Sequence, residues 1–265
     1  MCRQCIAIHL NQVGCSDTNH LGKTQKDVPF KVGHVVSKNV KETNDHFSVK
    51  DLYSLMCESM LSIANERETG DSEYKILQRT KIVASSEMQF FLLSKYIDRP
   101  VILPNFENGS DKTSLPSDAS FILYNYARIT QLLCSFKRQN DKYGDLVLLE
   151  NVDFSHLREQ EEWEIVFNLL LPYQELMTSF SNIQQFTCKN SKGKINKSLG
   201  QICGLLKNLS NVYSKYYRRV RVLREGPQGP SVIQTLNARI YLLLAIKIVY
   251  EHAFNILGIR PVDIM

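Results

Sequence analysis

The segment from Val232 to Leu257 most narrows what this chain can fold into. It reads as a helix that is apolar almost all round, and such a helix has to be covered by others at the centre of a bundle. Gly258 follows it as the C-terminal cap, since glycine adopts the left-handed backbone that ends a helix.

The cover is legible in the same terms. Leu206, Leu209, Tyr213, Tyr216, Val220 and Leu223 recur every three or four positions and form one buried stripe. Ser198 is the expected cap of that helix and Gly226-Pro227 its stop. Ser117 and Asp118 cap another helix through Phe121, Leu123, Tyr124, Ala127, Leu132 and Phe136. Asp153 or Ser155 opens a third, with Trp163, Val166, Phe167 and Leu170 apolar before Pro172 kinks or breaks it. Leu176, Met177, Phe180, Ile183 and Phe186 continue that face.

Upstream, a helix is expected from Val49, capped by Ser48, with Leu52, Leu55, Met56, Met60 and Ile63 inward. A second runs from about Glu73 to Leu93. Residues 99–116, with three prolines, read as a loop. Residues 1–50 are irregular or weakly β, with Ile6–Leu10 and Gly33–Val36 as short strands and 14–27 as loop. The expected fold is mainly α. A helical bundle spans 119–265, a helix and Pro-rich connector spans 76–118, and a small mixed α/β piece spans 1–75.

The 265 residues are 43% hydrophobic and 22% charged, which suits an ordinary globular core. Net charge is +5, with acids gathered in 145–175 and cations in 185–224, a bias that fits an acidic partner. No apolar run approaches the ~18 residues of a membrane span. The N-terminal apolar run is too short for a signal peptide. Seven scattered cysteines read as reduced thiols in a cytoplasmic protein, with Cys57, Cys134, Cys188 and Cys203 as small packed hydrophobes.

The stretch Lys215-Tyr216-Tyr217-Arg218-Arg219-Val220-Arg221-Val222-Leu223-Arg224 carries five cations, two aromatics and no acid. Tyr217, Arg221 and Arg224 line one border of the buried stripe, and Lys215, Arg218 and Arg219 cover the rest. Guanidinium groups neutralise phosphates, and an outward ring gives an unpaired base a platform. A solvated basic face would satisfy the same pattern.

From Phe121 onward the chain resembles the DALR anticodon-binding domain, the helical C-terminal module of arginyl-tRNA synthetases. The resemblance rests on four segments in order. They are Phe121-Ile122-Leu123-Tyr124-Asn125-Tyr126-Ala127-Arg128-Ile129, Glu161-Glu162-Trp163 through Leu171-Pro172, the basic stretch, and Ala238-Arg239-Ile240 with Leu257-Gly258-Ile259, Pro261 and Met265. Within the family, the first two are closer to a vertebrate-type member without catalysis than to a synthetase. The resemblance implies a non-catalytic adaptor, without cofactor, that binds arginine tRNA at its anticodon region. It further implies presentation of that tRNA to a 3-methylcytidine tRNA methyltransferase.

It marks Tyr124 or Arg128, Tyr217 (or Tyr216, whichever turns outward) and Met265 as near the anticodon bases, with Lys137, Arg138 and Lys142 as phosphate contacts. The buried stripe favours Tyr217 outward. Tyr124 and Arg128 share a helix face and Tyr126 points elsewhere; a packed phenol and a base platform both satisfy Tyr124.

Synthetase chemistry needs two ATP-handling signatures. His20-Leu21-Gly22-Lys23 lacks the second imidazole of one, and Val36-Ser37-Lys38-Asn39 lacks the leading Lys-Met of the other. About 115 residues precede the bundle, too few for a full nucleotide-binding catalytic domain. Cys2, Cys5, His9, Cys15 and His20 have no second Cys-x-x-Cys to complete a zinc site. Glu159, Glu161 and Glu162 complement a helix dipole rather than forming an acid pair. His156 and His252 have no partner at catalytic spacing. The alternatives are a degenerate arginyl-tRNA synthetase and a helical protein-interaction scaffold.

Overall fold

A computed structural model describes residues 35–37, 49–66, 72–95, 101–103, 117–185, 191–223 and 229–262. Its elements are β1 (Val35–Ser37), α1 (Val49–Glu66), α2 (Glu73–Leu93), β2 (Val101–Leu103), α3 (Asp118–Arg138) and the single turn α4 (Asn140–Tyr143). Two 3-10 turns follow, Leu149–Asn151 and Phe154–His156. Then come α5 (Gln160–Ile165), a π turn (Val166–Leu170), α6 (Leu171–Gln185), α7 (Ser191–Arg219) and α8 (Pro230–Leu257). The fold is mainly α, as expected.

Helix α8 is the axis of the bundle. Leu242, Leu243, Ala245, Ile246, Val249, Tyr250 and Ala253 are all fully buried, so neighbours cover it on several sides. Pro230 starts it, where a missing N–H costs nothing. Gly258, at φ 70°, ends it. The N–H groups of Gly258 and Ile259 both donate to the Phe254 carbonyl, satisfying the end of the helix. Against the expectation from the sequence, this helix is long and apolar enough by composition to cross a membrane. Its place in the core accounts for that hydropathy, since 56% of its most apolar window is buried among the other helices.

Helix α3 lays Ile122, Leu123, Tyr126, Ile129 and Leu133 on the same core, and α7 adds Ile202, Leu206, Leu209, Tyr213 and Tyr216. Tyr126 meets the edges of Phe254 and Tyr250 at 5.4 and 6.1 Å. Edge-to-face geometry adds about 0.5–1.5 kcal/mol per pair to the burial itself. Helix α2 joins this core through Val83 and Phe90, while its Ala84 packs under Leu52 and Met56 of α1. Glu87 of α2 does what the Ser117 side chain does not. Its carboxylate accepts from the Ala119 and Ser120 N–H groups, at 3.1 and 2.9 Å. A neighbouring helix thus caps α3 and satisfies donors that the chain next to them leaves open.

Strands β1 and β2 pair in parallel, Val35 opposite Val101 and Ser37 opposite Leu103. Parallel neighbours need a crossover, and α1 with α2 provides it. The sequence reading has residues 99–116 as loop, but Val101–Leu103 is this second strand. The run Val-Ile-Leu is too short for periodicity to separate from its Pro-rich surroundings. The expected strand at Ile6–Leu10 and loop at 14–27 lie outside the described residues, as do Ser48 and Cys188. The boundary drawn between residues 75 and 76 falls in the first turn of α2.

Four further readings need correction. Asp153 caps only a 3-10 turn, accepting from Ser155 N–H at 2.9 Å, and the next helix starts at Gln160 behind Glu159. Pro172 does not break its helix, because the π turn just before it widens the ladder. The Leu171 N–H reaches back to the Val166 carbonyl, so the carbonyl that would meet the proline ring is displaced. Helix α7 starts at Ser191, not Ser198, and ends at Arg219, well before Gly226. Beyond it Val220 and Val222 are buried and Arg221 is exposed, and the chain bends at Val222 and Leu223. Finally, Cys134 is exposed rather than packed, whereas Cys203 is buried.

Candidate nucleic-acid interface

Helices α3 and α7 lie side by side and parallel. Asp118, at the start of α3, pairs with Lys207 at 2.8 Å, and further along both helices Arg128 meets Tyr217. The two contacts join positions equally far apart in the chain, so the helices keep register along the seam.

At the far end of that seam Arg128 lies over two rings. Its guanidinium carbon lies 4.0 Å from the centre of Tyr124 and 4.7 Å from that of Tyr217, and it donates to the Tyr124 hydroxyl. Such cation–ring contacts contribute about 0.5–1 kcal/mol each where water has access. Tyr217 is 39% exposed and Tyr124 half-buried, so the stack reaches the surface. Beneath it Tyr213 is fully buried, its ring 6.0 Å from Tyr217. Burial, with the Tyr217 and Tyr250 hydroxyls nearby, holds the Tyr213 phenol well above its ordinary range, against the opposing effect of Arg128.

Which tyrosine faces outward is set on the other side of α7. Tyr216 is buried and its hydroxyl donates to Glu162 Oε1 at 2.9 Å. Arg239 of α8 donates from Nε to the same oxygen at 2.7 Å, and its Nη2 lies 3.7 Å from Glu159. Glu159 and Glu162 form a capping box at the start of α5, with the Glu159 N–H donating to Glu162 Oε2. Glu162 thus joins α5, α7 and α8 through one carboxylate. The sequence has Arg239 only as part of a matching phrase, because nothing in its spacing reveals a buried charge pair.

The cations divide. Lys215, Arg218 and Arg221 are exposed, with no ion-pair partner among the described residues; Arg218 reaches only the Ser214 hydroxyl, at 3.4 Å. Arg219 is different from what was expected. It bridges Glu159, at 2.7 Å, and Glu161, so its charge is already committed inside the protein. Lys137 and Arg138 are exposed on the last turn of α3, well along the helix from Arg128. Arg224 and Met265 lie outside the described residues, as does the side chain of Lys142. Arg221 is displayed from the chain just beyond the helix end rather than from the helix border.

Two histidines lie among the described residues. His252 Nδ1 and the Tyr173 hydroxyl are 3.0 Å apart, and burial lowers the His252 pKa. His156 Nε2 lies 3.8 Å from Asp153. Among the described residues no cluster of histidine, cysteine and acid could hold a metal. Cys2, Cys5, His9, Cys15, His20 and Lys38 lie outside them.

This bundle, with an aromatic–arginine stack at one end, belongs to the DALR anticodon binding domain family, whose model matches residues 122–265. The chain is similar to the DALR anticodon-binding domain-containing protein 3 of Danio rerio, 29% identical over 184 residues, 69% of this chain and 32% of that protein. With the protein of the same name from Rattus norvegicus it shares 24% identity over 274 residues, 98% of this chain and 49% of that one. The chain therefore spans only about a third to a half of the length of these curated relatives. The solved structure of Thermus thermophilus arginyl-tRNA synthetase shares the fold, at TM-score 0.59 and 14% identity over 88% of this chain and 34% of that one.

Proposed function

We propose that the chain is a non-catalytic cytoplasmic adaptor that grips an arginine tRNA at its anticodon region and presents it to a 3-methylcytidine tRNA methyltransferase. The observation that carries the RNA-binding reading is the Tyr124–Arg128–Tyr217 cluster, open to the surface, with exposed Lys215, Arg218 and Arg221 near Tyr217 in the chain. Stacking holds unpaired bases, and uncommitted cations beside it hold the backbone. The family match over the same residues supports the anticodon as the target. Lys137 and Arg138 extend the basic surface for the stem. Arg224 and Met265 join the candidate set on the resemblance alone, and so does the methyltransferase. The unpaired thiols of Cys57, Cys134 and Cys203 support a reducing compartment.

The test is a titration of the folded chain with an arginine tRNA and with a stem-only RNA at several salt concentrations. Tyr217→Ala is expected to cost about 1–3 kcal/mol on the loop-bearing RNA and little on the stem, with the salt slope nearly kept. Equal loss on both would make Tyr217 a packing residue, and a folded parent chain without RNA affinity would overturn the proposal. Recovery of the methyltransferase on the immobilised chain, dependent on added arginine tRNA, checks the second half.

A further inference from the structure

Arg128 sits in a slot that fits a different guest. Its guanidinium carbon is 4.0 Å from one ring centre and 4.7 Å from the other. Carbon atoms in contact sit about 3.5–4.0 Å apart. The guanidinium is therefore in contact with the Tyr124 ring and more loosely with the Tyr217 ring. Below it the Tyr213 hydroxyl is fully buried and has no hydrogen-bond partner among the described residues, although the neighbouring Tyr250 hydroxyl has Ser210 at 2.7 Å. Native proteins seldom leave a buried hydroxyl unpaired. Tyr124 also lines a cavity of about 510 Å³ with Met60, Ile63, Arg79, Phe121 and Val262, which gives its ring room to shift.

We propose that Arg128 is a displaceable occupant of this slot. An unpaired nucleobase enters between Tyr124 and Tyr217, Arg128 swings out to that nucleotide's phosphate, and the Tyr213 hydroxyl donates to an acceptor on the base edge. The proposal rests on the RNA-binding reading and makes Tyr213, buried and silent in the free protein, the residue that inspects the base. The exchange keeps both rings covered and gives the unpaired hydroxyl a partner. It also moves the guanidinium from two ring faces to a full negative charge. With its pKa raised by burial, Tyr213 stays a donor throughout the neutral range.

The test uses the whole chain and an arginine-tRNA anticodon stem-loop carrying 2-aminopurine at one loop position at a time. One position is expected to lose its fluorescence on binding, and to keep it when Tyr217→Leu removes a wall of the slot. Tyr213→Phe, which deletes a hydroxyl that no group among the described residues uses, is expected to weaken stem-loop binding about three- to tenfold. Its thermal midpoint should be unchanged or higher, an outcome that a merely structural tyrosine would not give. Arg128→Leu is expected to retain the quenching and lower the log–log salt slope by about 0.7. If the RNA binds but no loop position is quenched, or if Tyr213→Phe binds as the parent does, the slot stays closed and this inference falls while the RNA-binding reading stands. If the folded chain binds no RNA, both fall.

Discussion

Arg218 and Arg219 are adjacent in sequence and answer to different partners. Arg219 is drawn onto Glu159 and Glu161, whereas Arg218 and Arg221 face solvent. Arg218→Ala and Arg221→Ala are each expected to lower the salt slope of RNA binding by about 0.7–0.9, and Arg219→Ala to leave it nearly unchanged. Arg219→Ala should instead lose a few tenths to about 1 kcal/mol of stability, the range of a pair that remains largely solvated. A salt titration of the three variants, with a urea melt of each, separates the roles. Glu87 is the second residue whose neighbours change its chemistry. Burial pushes its carboxyl up to about 7, against the N–H groups of Ser120 and Ala119 that favour the anion. The folded state therefore holds this proton more tightly than the unfolded chain does. Its stabilising contribution is full below about pH 4.5 and is lost as pH rises through about 7. Glu87→Gln is expected to flatten that fall in a series of melts from mildly acidic to mildly alkaline pH. An unchanged slope would assign the pH dependence elsewhere. Tyr217 as the outward ring was legible from stripe spacing, as was the shared face of Tyr124 and Arg128. The loss of Arg219 to an acidic pair was not, because its partners lie far back in the chain, on α5 and its cap.

At the scale of elements, α5 is only six residues long and gains its place through what it presents. Glu162, fully buried, is met by Arg239 and Tyr216, and breaking such a pair from one side leaves an uncompensated charge. Arg239→Met is expected to cost about 3–5 kcal/mol, and the double change Glu162→Leu with Arg239→Met clearly less than the two singles combined. Denaturant melts of the four proteins read this directly, and additive losses would show the groups to be uncoupled. The elements themselves were largely visible beforehand. The ends of α2 at Glu73 and Leu93, and the start of α3 behind Ser117, follow from apolar spacing. What escaped is whatever depends on distant chain. The true cap of α3 is Glu87, the π turn absorbs Pro172, and the inward pull on Val220 and Val222 ends α7 early. Each is a tertiary preference overriding a local one.

At the scale of the whole molecule, one core runs from α2 to α8, and α1 leans on α2 at its edge. The strand pair stands apart from that core in one respect, which is time. Val35 and Val101 meet across the whole of α1 and α2, while α3 and α8 assemble on contacts that do not involve them. Joining ends that far apart gives up loop entropy before the strands return anything. Three paired residues on each strand return little. The pair is expected to close last during folding and to open first afterwards. Hydrogen exchange reads this order: the Val101–Leu103 amides should exchange through local opening, orders of magnitude faster than those of Leu242 to Tyr250. A common rate for both would mean that the strands rise and fall with the bundle as one cooperative unit.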